Sequence, residues 1–299
     1  MAWVLKVCGG AISRHFSPVT LHHHKQAGPA ITKRVNDIAT SDCILQQARA
    51  LRSQGVGRGG LPETMPPKGK EAKPDSLISK EDGLRYWQNA TADVDGMLGG
   101  VPSLFSPISR VDLQGSRTFL ARLGIGTSQG RQKVTNCVEG GAGIGRVTQG
   151  LLANVAANID IVEPVGKFTA QLRGKPGVRR IFNVGLEEWA PAADAPAYDL
   201  VWTQWCLGHL TDAQLVQYLR RCKEALVPET GVIVIKENLS TSGEDVFDPV
   251  DSCVTRQEET WKRLFEEAGL RIVRHEPQRG LPETGAHRLL PVMMYALKP

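Results

Sequence analysis

The run Val134-Thr135-Asn136-Cys137-Val138-Glu139-Gly140-Gly141-Ala142-Gly143-Ile144-Gly145-Arg146 decides how the rest of this chain is read. Its first six residues have the make-up of a short strand that closes on an acid. Glycine then recurs at 141, 143 and 145, which allows a tight turn and lets a ligand approach bare backbone. A helix expected from Arg146 to Ala153 would add unpaired N–H groups and the positive end of a dipole. Dinucleotide loops space their glycines G-x-G-x-x-G and seat a pyrophosphate on that helix. Here the spacing is G-x-G-x-G, and Glu139 stands close before it. A carboxylate there repels a pyrophosphate but suits a cofactor bearing an ammonium and a sulfonium. S-adenosylmethionine is therefore expected rather than NAD, against the bland reading of a turn that binds nothing.

Strands and helices alternate after this run. Further strands are expected at Ile159–Glu163, Arg179–Asn183, Tyr198–Trp202 and Gly231–Lys236, with Leu270–His275 and Val292–Lys298 as a closing antiparallel pair. Helices are expected at Val165–Leu172, from the capping box Thr211-Asp212-Ala213-Gln214 to about Leu226, and at Thr255–Ala268 before Gly269. This alternation implies an α/β fold with a doubly wound, mostly parallel sheet covered on both faces. Ahead of it, Leu84-Arg85-Tyr86-Trp87 and the spacing of Phe119, Leu120 and Leu123 indicate a helical lid over residues 80–125. The glycine-rich turn Asp93–Gly100 interrupts the lid.

The chain has 299 residues and a formal charge of +5. Residues 1–64 carry all of that charge, with eight basic and three acidic side chains. The neutral remainder argues against a nucleic-acid-binding face, and no apolar run is long enough to span a bilayer. The first acid is Asp37, so residues 1–36 resemble a mitochondrial presequence. The favoured alternative reads residues 1–64 as an extension ahead of a start at Met65. Residues 1–79 are then a flexible basic extension and linker, and residues 80–299 the folded domain. The expected setting is cytoplasmic, with the nucleus second and mitochondria the lesser reading. His22, His23 and His24 lack a nearby cysteine or acid, and no metal site is expected. Cys8, Cys43, Cys137, Cys206, Cys222 and Cys253 form no C-x-x-C pair and read as reduced thiols.

The chemistry-bearing residues fall at the carboxyl ends of the expected strands, where open α/β sheets bind ligands. Glu163 stands where a carboxylate reaches ribose hydroxyls, with a solvent-edge acid as the bland alternative. Leu186 would pack on the adenine ring, while Glu187 or backbone groups meet its amino edge. Gln204 and Trp205 offer an amide and an aromatic wall beside the methyl donor. The Asn/Asp-Pro-Pro-aromatic run of DNA adenine methyltransferases is absent there. His209 is a candidate base, or else a locally bonded helix-start histidine. Asp245, Asp248 and Asp251 follow Asn238 in a loop, as a solvated run or as a seat for a cationic substrate.

Tyr86-Trp87, Val94-Asp95-Gly96-Met97-Leu98-Gly99-Gly100, Gly141-Ala142-Gly143-Ile144-Gly145-Arg146, Gln204-Trp205, Gly208-His209-Leu210-Thr211-Asp212, Leu219-Arg220-Arg221-Cys222-Lys223 and Ile235-Lys236-Glu237-Asn238 together resemble the protein α-N-terminal methyltransferase family. The resemblance covers roughly residues 80–299. It implies a seven-stranded Rossmann-like methyltransferase sheet with the helical lid in front. It also implies methyl transfer from S-adenosylmethionine to the α-amine of proteins beginning X-Pro-Lys. Cofactor contacts fall on Gly141, Arg146, Glu163, Leu186 and Gln204, with Arg146 on the methionine carboxylate. The peptide groove falls on Leu98, Gly99, Trp205, His209, Asn238, Asp248 and Asp251. His209 or Asp251 would take the proton, Asn238 would hold the first peptide groups, and Asp248 with Asp251 would pair with the substrate lysine.

Four departures from the family stand out. Glu139 and Glu163 replace its usual aspartates, Glu187 its frequent glutamine, and Cys253 a serine, and the turn between Gly100 and Ile108 looks longer than usual. Met65-Pro66-Pro67-Lys68 adds a further expectation, since loss of Met65 would expose an X-Pro-Lys start and allow self-methylation at Pro66. The alternatives are a methyltransferase of the same fold acting on a small-molecule or other amine, and a non-catalytic cofactor-binding regulator.

Overall fold

The strand before the glycine loop, β1 (Val134–Gly140), lies inside a seven-stranded sheet. It pairs in parallel with β2 (Ala156–Val162) on one side and β4 (Leu200–Gln204) on the other. Beyond β2 lies β3 (Val178–Phe182), and beyond β4 lies β5 (Val232–Asn238), both also parallel. Two antiparallel strands, β9 (Val292–Lys298) and then β8 (Arg271–Pro277), complete the sheet. The order is β3-β2-β1-β4-β5-β9-β8, so the winding reverses between β1 and β4. That crevice is where open α/β sheets bind ligands. The computed structural model describes residues 72–99, 102–192, 194–281 and 289–299. The expectations for residues 1–36, for the histidines at 22–24, for Cys8 and Cys43, and for Met65 to Lys68 lie outside the described residues. No helix among the described residues is long and apolar enough to cross a membrane.

Alternation along the strands sorts side chains into two cores. Val138, Val201, Ile233 and Ile235 face helices α3 (Asp212–Glu224) and α4 (Glu258–Glu267), against Leu215, Leu219, Trp261 and Phe265. Cys137, Leu200, Trp202 and Val234 face the other way, onto Phe119, Leu120, Leu151 and Leu152. The doubly wound sandwich expected from the sequence is therefore present. The capping box of α3 is formed in full, with the Thr211 hydroxyl accepting from the Gln214 N–H and the Gln214 side chain accepting from the Thr211 N–H.

The lid comprises α1 (Lys80–Asn89), a single turn at Val94–Met97, and α2 (Pro102–Arg122). Trp87 and Met97 pack against Ile144 of the glycine loop and against Val165 and Phe168 after β2. At ~25 cal/mol per Å² of apolar surface, a tryptophan buried over ~150–250 Å² contributes on the order of 4 kcal/mol to holding the lid.

Several boundaries differ from expectation. The span between Gly100 and Ile108 is no long turn, because α2 already begins at Pro102. β4 runs two residues later than expected, since Tyr198 makes only an isolated bridge to Leu226 while its hydroxyl donates to Asp160 at 2.7 Å. Gln204 is thus the last residue of a strand. The helix after the glycine loop contains a π turn, Thr148–Leu152. The helix expected at Thr255 starts at Glu258, because Cys253–Thr255 (β7) pairs with Val246–Asp248 (β6) as a small hairpin. The three acids expected in one loop are consequently separated. Asp245 accepts from the Gln257 N–H at 2.8 Å ahead of α4, Asp248 ends β6, and Asp251 is buried in the connection.

Candidate active site

The glycine loop leaves β1 in left-handed turns, with φ of +68° at Gly141, +56° at Gly143 and +80° at Gly145. A side chain is excluded at Gly145 on a second ground, because a Cβ there would lie 2.2 Å from a methyl of Leu172. Glu163 ties the loop to β2, with its two carboxylate oxygens accepting from the Gly143 and Val165 N–H groups at 2.9 Å each. Each oxygen keeps acceptor capacity for a ribose hydroxyl. Glu139, at the end of β1, accepts from the Thr148 hydroxyl, which the π turn delivers to it. Burial pushes its carboxyl up to about 7.

Arg146, at the start of the following helix, points its guanidinium at Asp112 of α2, with Nη1 2.7 Å from Oδ2. Gln204 donates from Nε2 to both oxygens of Asp112 at 2.9 Å. Arg146 also lies over the Trp205 ring, 5.3 Å from its centroid. Beside Pro164 and Gly185 a cavity of about 150 Å³ opens beneath α1, lined also by Leu84, Glu187 and His209. Leu186 is buried in the core below. Glu187 pairs with Lys80 of α1 at 2.8 Å, and Glu188 bonds the same ammonium, so the acid standing in for glutamine is neutralised by the lid. Those hydrogen bonds raise the Lys80 pKa.

The far wall belongs to the expected substrate residues. Trp205 is fully buried with φ of +53°, a left-handed conformation that a bulky side chain adopts only under constraint. Its backbone N–H donates to the Lys236 carbonyl, and its ring packs with Leu98, Ile108, Cys253 and Val292. Gly99 follows Leu98 with φ of +103°. Asn238 closes β5, and both atoms of its amide are buried without a protein partner among the described residues. Asp248 sits opposite Cys253 in the hairpin, which brings it beside this wall. Asp251 is buried just before Ser252, another left-handed residue at φ +54°, whose hydroxyl accepts from the Ser79 N–H at the start of α1.

His209 ends a 3-10 turn and receives the Trp87 indole N–H on Nε2 at 3.0 Å. An indole N–H only donates, so the ring proton of neutral His209 resides on Nδ1. The basic nitrogen is thus engaged by the lid. Glu237 braces the same turn, accepting from the Cys206 and Leu207 N–H groups at 2.9 Å, and burial pushes its carboxyl up to about 7.

Residues 75–298 match the family described as AdoMet-dependent proline di-methyltransferases. The chain belongs to this family. It is 47% identical over 224 residues to the alpha N-terminal protein methyltransferase 1 of Schizosaccharomyces pombe, covering 73% of this chain and 95% of that protein. Against the N-terminal Xaa-Pro-Lys N-methyltransferase 1 of Homo sapiens it is 40% identical over 209 residues, 68% of this chain and 89% of the relative. A SAM-dependent methyltransferase of Leishmania major has the same fold at a TM-score of 0.64 and 35% identity, covering 73% of this chain and 82% of that one.

As a member of the family, the protein is an S-adenosylmethionine-dependent methyltransferase with the Rossmann-like sheet of that class. The crevice fits the cofactor's zwitterionic end, since a buried donor, Arg146 Nε, and a buried acceptor, Gln204 Oε1, both lack protein partners among the described residues. Gly141, Arg146, Glu163 and Gln204 converge around the β1–β4 crevice, with Glu187 at the cavity beside it. On the far wall Leu98 packs with Trp205, Asn238 is in register with Val292 of the same cluster, Asp248 lies opposite Cys253, and Asp251 falls in the turn between. His209 sits between the two under the lid. Sequence reasoning passed over Asp112, Trp87 as the partner of His209, and Lys80 as the partner of Glu187. Asp112 did carry a signal, being the lone acid of α2 and falling four residues after Ile108 and seven before Phe119, on the buried face.

Proposed function

We propose that this protein methylates the free α-amine of polypeptides that begin Xaa-Pro-Lys. The observation that carries the reading is the far wall. Among the described residues Asn238 presents a buried amide with neither atom paired, at the end of the strand next to β4 and its constrained Trp205. An amide in that state matches the backbone groups of a peptide held in extended form. The names of the relatives point to the same class of substrate. S-adenosylmethionine supplies the electrophilic methyl group, carried on a sulfonium.

The protein's share is to position the amine, exclude water and remove a proton. Leu98 and Trp205 form the dry side of the approach, and Asn238 holds the first peptide groups. Asp248 pairs with the lysine ammonium at the third position. An α-amine has a pKa of about 7.7–8.0, so it loses its proton readily near neutral pH. We assign Asp251 as the group that receives that proton, because Trp87 engages the basic nitrogen of His209. His209 then orients the lid and the loop after β4.

A peptide panel tests this reading. An Ala-Pro-Lys peptide should gain methyl groups at its α-amine, while the N-acetylated peptide and small amines should not. Turnover of small amines alone favours the small-molecule alternative, and no turnover of any acceptor favours the regulator. The same specificity extends to Pro66-Pro67-Lys68 wherever translation from Met65 exposes it. Intact-mass measurement finding Met1 retained, or Pro66 unmodified, counts against that extension.

A further inference from the structure

Gln204 and Lys236 are register partners on β4 and β5, so both side chains leave the same face of the sheet, toward α2. They meet at Asp112. Burial works to raise the Asp112 carboxyl, but Lys236 and Arg146 outweigh it and hold it below its ordinary value. An ionised carboxylate only accepts hydrogen bonds. Gln204 must therefore turn its amide nitrogen to Asp112, 2.9 Å from both oxygens. Its Oε1 is left buried and without a protein partner among the described residues. Arg146 likewise commits Nη1 to Asp112 and leaves Nε buried and unpartnered.

Lys236 closes the back of the cluster. Its Nζ lies 2.5 Å from Asp112 Oδ1 and donates to the Asp112 carbonyl at 3.0 Å, the Ser116 hydroxyl at 2.9 Å and Gln278 Oε1 at 2.7 Å. Burial lowers the Lys236 pKa against the pull of Asp112, yet the acceptors around the nitrogen outnumber the two N–H groups of a neutral amine and hold it as the ammonium. The contacting ions are two cations and one anion, and their side chains are at most 5% exposed. Among the described residues the ions in direct contact therefore carry a net positive charge, which an incoming carboxylate offsets.

We propose that Asp112, held by Lys236, is the positioning residue for recognition of the cofactor's zwitterionic amino acid end. It aims the Gln204 carbonyl at the ammonium, and it aims the Arg146 Nε edge, with the surplus charge, at the carboxylate. This role rests on the assignment of the glycine loop, Arg146 and Gln204 as the cofactor site.

Titration calorimetry with two ligands tests it. S-adenosylhomocysteine carries the amino acid end, and 5′-methylthioadenosine has the same nucleoside without it. In Asp112→Asn, the affinity for S-adenosylhomocysteine should fall at least about tenfold, the scale of a lost hydrogen bond to a charged group, with methylthioadenosine within about twofold. The pair Asp112→Asn with Lys236→Met keeps the local net charge and should show the same selective loss. Equal loss of both ligands, including loss through unfolding in both variants, or no loss of either, overturns the role of Asp112. If the unaltered protein binds S-adenosylhomocysteine no tighter than methylthioadenosine, the cofactor-site assignment fails, and the role of Asp112 with it.

Discussion

Glu237 allows the bracing of the loop after β4 to be measured through its charge. Its carboxyl is buried, bonds two backbone N–H groups, and is pushed from 4.5 up to about 7. Burial disfavours the charged form, so between those values the folded protein holds a proton that the unfolded chain has released. Stability must therefore fall as pH rises from about 4.5 to about 7, at up to ~1.4 kcal/mol per pH unit. The full penalty above pH 7 is about 3 kcal/mol. Glu237→Gln keeps an amide oxygen for the two N–H groups and removes the titration. The new NH₂ group adds an offset that does not vary with pH. Urea unfolding of both proteins at steps from pH 5 to pH 8 should show the variant gaining ~2–3 kcal/mol relative to the unaltered protein. Glu139 is pushed up in the same way but is present in both proteins, so it cancels in the difference. A difference that stays flat, or that slopes the other way, would refute burial as the cause.

Four further outcomes follow from the site. Asp251→Asn should slow single-turnover methylation of an Ala-Pro-Lys peptide by roughly a hundredfold or more, within the range for a lost general base, whereas Trp87→Phe should cost ~2–4 kcal/mol of stability in urea unfolding, from the lost indole hydrogen bond and the cavity left behind. If Asp251→Asn stays active and His209→Asn is dead, the proton goes to His209 instead. Asp248→Ala should raise KM for a peptide with lysine third by roughly tenfold or more, the value of a charged hydrogen bond, and leave KM for its norleucine counterpart unchanged; equal rises would remove Asp248 from lysine recognition. Gly145→Ala should destabilise the protein by ~2–4 kcal/mol in urea unfolding, combining left-handed strain with overlap on Leu172. Unchanged stability there would mean that the loop re-forms around the methyl group.

What could be read directly was what local pattern encodes. The glycine loop carries its own turn geometry at residues 141, 143 and 145, and Thr211 and Gln214 carry a cap whose two bonds both form. The site's missing parts depend on distance along the chain. Asp112 matters because Gln204 and Lys236 fall in register on separate strands, a relation no local spacing contains. Trp87 meets His209 from 122 residues away, and Lys80 meets Glu188 from 108. The β6–β7 hairpin escaped notice because strands of three residues are too short to show an alternation. That omission mattered, since the hairpin separates Asp245, which prepares α4, from Asp248 at the end of β6 and Asp251 in the turn.

The central claim is that the amine accepted by the far wall is the α-amine of an Xaa-Pro-Lys chain. Its most direct test is fragment mass spectrometry of an Ala-Pro-Lys peptide after reaction with S-adenosylmethionine and the full-length protein. The expected result places every added methyl group on the first residue, with none on the lysine side chain. Methylation on the lysine ammonium, or none on a peptide that the protein binds, would contradict it.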